Sequence, residues 1–346
     1  MAIISKKKII FKVSKVLKTY LSSTNRGANL PLTYKDLLNY DDSSPLLEGL
    51  EEENLWETIR FPETDTGKIH QALVKIYALL KFNGDASIVN HFTIERIDHF
   101  LSGETKPFRI KIVNQLNKDF DYFYLKIADA SRIYGLELEE LLSPYRVNYL
   151  VDKDSIVEEH IGGIPGDIFI RENLDNFSLN AKRLAKEFIK FNERSFIRLL
   201  GDMHPGNFVV TVTQDVEDVH YRFRPIDFDH QSYEGKKGIY QPQNFKRNRS
   251  FLDLGVDQPT PELILQYQIE ERSSIAKRIN SSYNQIKKLT QVMVKDTISF
   301  PENVLSLKEQ LYEHYKDKEF LICKNMGELV VISLKQLFKK KQLFNK

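Results

Sequence analysis

The sequence predicts an α+β protein in two lobes, one a small antiparallel sheet and the other larger and mainly helical, preceded by a helical extension. Three observations carry that reading. Between 91 and 127, three short segments alternate polar and apolar residues and are separated by turn residues. Beyond 260, apolar residues recur at helical spacing. Between these regions, two polar motifs bracket a β-hairpin within 201–229. The implied boundaries are 1–90 for the extension, 91–161 for the small lobe and 162–346 for the large lobe.

A chain of 346 residues can bury a sizeable core, as one large domain or two lobes. Its net charge of +2 argues against a nucleic-acid binder held by overall electrostatics, so no nucleic-acid partner is expected. The single cysteine, Cys323, excludes an intramolecular disulfide framework and suits a reducing, cytoplasmic compartment. Lys12, Lys15 and Lys18 interrupt the apolar run a signal peptide needs, and no apolar stretch is long enough for a stable membrane span.

The extension reads as mainly helical with a loop-rich middle. Its basic stretch at 6–18 fits a solvated surface helix, with contact to a membrane or a partner as the alternative. Asp41-Asp42-Ser43-Ser44-Pro45 reads as a breaker, and Trp56 as the anchor of a polar stretch. Ile69, Ala72, Leu73, Ile76, Leu79 and Leu80 form a helical stripe over 68–82, ended by Asn83-Gly84-Asp85. The extension is expected to pack on the body, and a protein partner would bind through it.

In the small lobe, 92–97, 108–113 and 122–127 are strands of an antiparallel meander, joined by turns at 102–107 and 116–119. A helix over 130–142 follows, ended by Ser143-Pro144, with Glu137 and Glu140 on one face. Residues 149–151 and 155–161 form a hairpin around 152–154, which runs into Gly162-Gly163-Ile164-Pro165-Gly166.

The large lobe opens with a helix over 178–194, with Leu184, Phe188 and Phe191 on one stripe. Phe196-Ile197-Arg198-Leu199-Leu200 then leads into Gly201-Asp202-Met203-His204-Pro205-Gly206-Asn207-Phe208. A β-branched run at 209–213, a polar turn at 214–218 and a returning strand at 220–224 end on Pro225-Ile226-Asp227-Phe228-Asp229. The hairpin brings Asp202, Asn207 and Asp227 back to one end. Two carboxylates and an amide there suit a hard divalent cation and a hydroxyl that must lose its proton.

At these residues the chain resembles the aminoglycoside phosphotransferase and choline kinase group, an atypical branch of the protein-kinase-like fold. Gly201-Asp202-x-His204-x-x-Asn207, followed by Ile226-Asp227-Phe228-Asp229, is similar to that group's catalytic loop and metal-binding strand end. The likeness is specific at these motifs, looser over 90–260, and does not cover the first ninety residues. It implies ATP and Mg²⁺, with transfer of the γ-phosphate to the hydroxyl of a small molecule. Asp202 would be the base, Asn207 and Asp227 the metal ligands, and His204 a residue that shapes the loop. Asp229 would support the loop or touch a second cation.

The resemblance also implies a phosphate-pairing lysine on the third strand, where Lys126 stands. A carboxylate on the next helix would hold it, with Glu140 the first choice and Glu137 and Glu139 as alternatives. The first turn would lie over the phosphates, which makes Ser102 and Gly103 candidates through their backbone N–H groups. Backbone around Glu159 and Ile161 would meet the adenine edge, although a plain interdomain linker fits those glycines equally. The chain departs from the family where Leu200 replaces the usual histidine before Gly-Asp. It also lacks Asp-Phe-Gly and Ala-Pro-Glu, which speaks against a eukaryotic-type protein kinase. Two rival functions remain: a protein-modifying kinase docking through the basic 236–249 loop, and an inactive pseudokinase serving as a scaffold.

Residues 229–261 read as a long polar connection whose basic cluster is either a site for an anionic acceptor or a solvated loop. Thr260 and Pro261 are the N-cap and first-turn proline of a long helix, with Ile264, Tyr267, Ile275, Ile279, Ile286 and Leu289 as its buried side. Helices at 302–321 and 325–341 follow, with Lys339-Lys340-Lys341 at the C-terminal end of the second, where the dipole favours positive charge.

Overall fold

A computed structural model describes residues 8–46, 55–102, 105–174, 180–215, 218–253 and 259–339. The chain is α+β with an antiparallel sheet and many helices, and it divides into two compact units. One holds Lys8–Ala130 and Val147–His160; the other holds Ser131–Arg146 and the chain from Ile161 onward.

The first unit is built on a seven-stranded sheet. Its elements are helices α1 (Lys15–Ser23) and α2 (Tyr34–Leu37), strands β1 (Asp42–Pro45) and β2 (Trp56–Arg60), and helix α3 (Glu63–Phe82). Strands β3 (Phe92–Phe100), β4 (Phe108–Asn114), β5 (Phe120–Ile127), β6 (Tyr149–Asp152) and β7 (Ser155–Glu159) complete it. The order is β1-β2-β3-β4-β5-β7-β6, with every pairing antiparallel. Alternation along the strands sends Ile97, Phe108, Ile110, Ile112, Phe123, Leu125 and Val157 to one face. There they pack with Leu73, Ile76, Tyr77 and Leu80 of α3 and with Leu30, Leu32 and Leu37. The other face carries Asp98, Arg109, Tyr124 and Lys126, with Asp98 opposite Arg109 and Arg109 opposite Tyr124.

Residues 8–90 belong to this unit and supply two strands as well as helices. The stretch expected as a breaker at 41–45 is the edge strand β1, paired with β2 in the register Asp42 to Arg60. Asp-Ser-Ser-Pro carries no apolar alternation because the strand has no buried face, and an edge position tolerates a proline without an N–H. Trp56 anchors its strand by packing on Phe100, with ring centroids 4.9 Å apart, while the Arg109 guanidinium lies 4.5 Å from its ring centroid. Asn83 ends α3 in the left-handed conformation, as asparagine accepts readily.

The second unit contains helix α4 (Ala130–Leu142, whose first residue belongs to the sheet unit), strand β8 (Ile164–Pro165), and helices α5 (Gly166–Glu172) and α6 (Ala181–Ile197). Strands β9 (Phe208–Gln214) and β10 (Val219–Pro225) form the expected hairpin, and β8 adds on the far side of β9. Phe188 and Phe191 of α6 meet Phe208 and Phe223 of the hairpin and Phe251, all at most 1% exposed. Their centroid separations include 5.2 Å for Phe191–Phe208 and 5.1 Å for Phe223–Phe251. Each such ring stabilises the fold by about 1.5–3 kcal/mol through burial, and together they fix both ends of the hairpin.

The segment expected as a long polar loop is instead largely ordered. Three short 3₁₀ turns, Lys237–Tyr240, Pro242–Asn244 and Lys246–Phe251, bury Ile239, Tyr240, Asn248 and Phe251. Side-chain amides do the work that a helix backbone would: Asn244 donates to the Gly238 carbonyl, and Asn248 to Met203 and Pro242. Helix α7 (Pro261–Ser281) starts as its sequence signals predict, with Thr260 Oγ1 accepting from the Leu263 N–H at 3.3 Å. The single long helix expected there breaks at Ser282, and α8 (Tyr283–Met293) follows. Ile275, Ile279, Ile286 and Leu289 are buried, whereas Ile264 and Tyr267 are half-buried. Helix α9 (Pro301–Tyr315) stops earlier than 321, at Lys316 in the left-handed conformation, and α10 (Met326–Lys335) is the last helix among the described residues. Lys340 and Lys341 lie outside the described residues. No helix among the described residues is long and apolar enough to cross a membrane.

Candidate active site

Asp202, Asn207 and Asp227 come together in the second unit. The Asn207 carbonyl accepts from the Ile226 N–H at 3.0 Å and the Asp227 N–H at 3.4 Å, which closes the two ends of the hairpin on each other. Asn207 Nδ2 donates to the Asp202 carbonyl at 2.9 Å and reaches Asp202 Oδ2 at 3.4 Å. The amide hydrogens are thereby turned toward Asp202. That leaves Asn207 Oδ1, a neutral oxygen of the kind a hard cation takes. His204 Nδ1 accepts from the Gly206 N–H at 3.1 Å and caps the turn Pro205–Asn207. Burial lowers the His204 pKa against the pull of Asp227 and Asp167, consistent with a neutral ring that can accept.

The loop stores backbone strain. Leu199, Asp202 and Ser232 all have positive φ, at 57°, 59° and 52°. A left-handed leucine is costly and persists only where its surroundings hold it. The Ser232 N–H binds the Leu199 carbonyl at 2.7 Å, and Gln231 Nε2 binds the carbonyls of Arg198 at 2.6 Å and Leu199 at 3.2 Å. The N–H groups of Gly201 and Asp202 donate to the His230 and Ile239 carbonyls. A side chain at Gly201 would press on the His230 carbonyl at 3.1 Å, so the glycine permits this approach.

Helix α4 supports both halves of the site along one face. Arg132, Gly135 and Glu139 stand at spacings of three and four, on adjacent turns. Arg132 is fully buried, and its Nη1 donates to Asp227 Oδ1 and Asp229 Oδ1, each at 2.8 Å. A Cβ on Gly135 would lie 2.9 Å from the Phe228 side chain, so glycine lets the helix lie against the 226–229 segment. Glu139 is ion-paired with Arg198, and both side chains are 1% exposed.

Arg132 and His230 are residues that sequence reasoning missed. His230 Nε2 lies 3.9 Å from Asp202 Oδ2, and its Nδ1 is 2.9 Å from Glu234 Oε1. Burial pulls the His230 pKa down. The Glu234 hydrogen bond and the charges of Asp202 and Asp227 outweigh it, holding the imidazole above its ordinary value. A glycine inside a predicted helix, flanked by charges at helical spacing, was the available signal for the α4 face.

The nucleotide candidates divide between the two units. Lys126 Nζ donates to Glu158 at 3.1 Å within the sheet unit, and Glu158 is a partner the sequence did not single out. Glu140 Oε1 lies 3.8 Å from Arg146, and Glu137 is buried. Ser102 is exposed, and Gly103 lies outside the described residues. The Glu159 N–H is used by the Asn148 carbonyl at 3.0 Å, and its carboxylate binds Lys81 and Asn148. Ile161 is buried and belongs to the second unit.

Asn207 and Asp227 offer oxygens of the type a hard cation takes. Among the described residues, no three His, Cys, Asp or Glu side chains gather as a metal-binding group. Mg²⁺ does not need such a cage, since it keeps several waters and takes few protein ligands. Asp227 spends Oδ1 on Arg132 and the Asp229 N–H, while its Oδ2 enters neither bond. Asp227 Oδ2 and Asn207 Oδ1 are therefore the pair that would hold a metal.

No protein-family model and no curated protein matches the chain. Among solved structures, titin kinase with its flanking domains matches at 14% identity and a TM-score of 0.29, over 70% of this chain and 54% of that one. The autoinhibited serine kinase domain of titin matches at 12% identity and a TM-score of 0.28, over 72% of this chain and 89% of that one. The chain thus spans about half the length of the first of these. Likeness at those values carries no argument about chemistry.

Proposed function

We propose that the chain is an ATP- and Mg²⁺-dependent phosphotransferase that moves the γ-phosphate to a hydroxyl of a small molecule. The observation that carries this is the closure of the β9–β10 hairpin, which sets Asn207 between Asp202 and Asp227. Mg²⁺ held by Asn207 and Asp227 would neutralise phosphate charge. Asp202 orients the acceptor hydroxyl and takes its proton as the new O–P bond forms and the bridging O–P bond of ATP breaks. The proton then leaves to solvent. In the sheet unit, Lys126 is the proposed phosphate-pairing residue.

The basic segment at 236–249 supports an acceptor that carries negative charge. Residues 236–249 include Lys236, Lys237, Lys246, Arg247 and Arg249 and no acidic residue. Two bonds tie this segment to the catalytic loop: Asp202 N–H to the Ile239 carbonyl, and Asn248 to the Met203 carbonyl.

Asp202→Asn tests the assignment. It should abolish transfer to any acceptor found by a radiolabelled-ATP screen of anionic alcohols, while leaving nucleotide affinity within about twofold, because the base acts only as charge develops. Asp227→Asn should instead remove Mg²⁺-dependent nucleotide binding. Normal turnover by both variants would refute the site.

A further inference from the structure

Resting on the phosphotransferase reading, we propose that Arg132 is a built-in cation that takes the place of a second metal ion, so that this site holds one divalent cation rather than two. Kinase-like sites use two magnesium ions, held by the metal-motif aspartate and the loop asparagine, to offset phosphate charge. This chain has a second carboxylate nearby, Asp229, two residues beyond Asp227. Two carboxylates so close, with Asp229 buried, call for a countercharge, either from metal or from protein.

The protein supplies it. A single atom, Arg132 Nη1, bridges Asp227 Oδ1 and Asp229 Oδ1 at 2.8 Å each. Arg132 Nη2 is 3.3 Å from the Ile226 carbonyl, which fixes the plane of the guanidinium. The side chains of Arg132 and Asp229 are 1% and 7% exposed, whereas that of Asp227 is 31% exposed. Asp229 is thus closed off and matched to the guanidinium, while Asp227 keeps one oxygen and access to solvent. A guanidinium is not deprotonated in proteins, so its charge is present whether or not metal and nucleotide are bound. Coulomb repulsion from it acts against a second divalent ion beside Asp229.

The test counts bound Mn²⁺ by electron paramagnetic resonance on the full chain, with one equivalent of a non-hydrolysable ATP analogue. Wild type should bind one ion. Two ions would overturn the inference and leave the phosphotransferase reading intact. No Mn²⁺ and no analogue binding would sink that reading and this inference with it. Arg132→Met should bind two ions, or one at least tenfold more tightly; an unchanged count and affinity would overturn the assignment. Arg132→Lys keeps the charge and serves where the methionine variant does not fold. It should still bind one ion, and two would show that charge does not set the number.

Discussion

Glu139→Ala gives the sharpest test of how the 199–208 loop is held. Glu139 and Arg198 form an ion pair with both side chains 1% exposed. The pair is imperfect, since Glu139 Oε1 and Arg198 Nε and Nη2 are buried with no hydrogen-bond partner among the described residues. Burial lowers the Arg198 pKa despite the opposing pull of Glu139, so desolvation is the larger effect at that guanidinium. Removing Glu139 alone leaves a buried cation uncompensated, a change that costs about 3–5 kcal/mol. Replacing both partners, Glu139→Leu with Arg198→Met, removes both charges and both sets of unmet polar atoms. Such apolar replacement of a buried pair ranges from neutral to about 1–4 kcal/mol stabilising. Urea unfolding of the two variants against wild type measures both values. A loss below about 1 kcal/mol for Glu139→Ala, or a double variant as unstable as the single one, would refute this reasoning. The same double variant asks whether the pair also sets the geometry of the left-handed Leu199–Asp202 turn. If it does, transfer activity falls while stability is retained.

Further perturbations read other parts of the architecture. Asn248→Ala strands the Met203 and Pro242 carbonyls, each bonded at 2.8 Å, and should cost about 1–3 kcal/mol per unmet group in a thermal melt. His230 has a raised folded pKa, so its stabilisation is complete below about 6.5, the ordinary histidine value, and is lost as pH rises through the folded value. His204 is lowered and acts with the opposite sign, so the readout is the difference between wild type and His230→Gln in urea at pH 6 and pH 8. That difference should shrink at the higher pH; a constant difference would remove His230 from the linkage. Lys126→Ala removes the ammonium that donates to the buried Glu158 carboxylate at 3.1 Å and should destabilise the sheet unit by about 1.5–3 kcal/mol, the worth of a hydrogen bond to a charged group, in addition to weakening nucleotide binding. Denaturation and isothermal titration calorimetry separate the two effects.

Local chemistry was legible wherever it repeats or caps. The β3–β5 meander, helix α4 with its bounds at 130 and 142, and the Thr260-Pro261 start of α7 all follow from periodicity and end signals. Strand β1 did not, because a strand with no buried face has no alternation to read. The 229–253 segment did not, because its order comes from single amides reaching carbonyls far away in the chain, such as Asn248 to Met203.

The site divides in the same way. By itself the sequence determined which side chains cluster at the motif, because a hairpin of two short strands returns its ends to one place and Asp202, Asn207 and Asp227 sit at those ends. Only the tertiary structure decided what surrounds them. Arg132 lies 95 residues before Asp227, and Arg198 59 residues after Glu139. Charges on a helix face read as solvated until the fold shows what covers them. Burial makes the charge partner of each such carboxylate a property of packing, where desolvation and Coulomb attraction are both strongest.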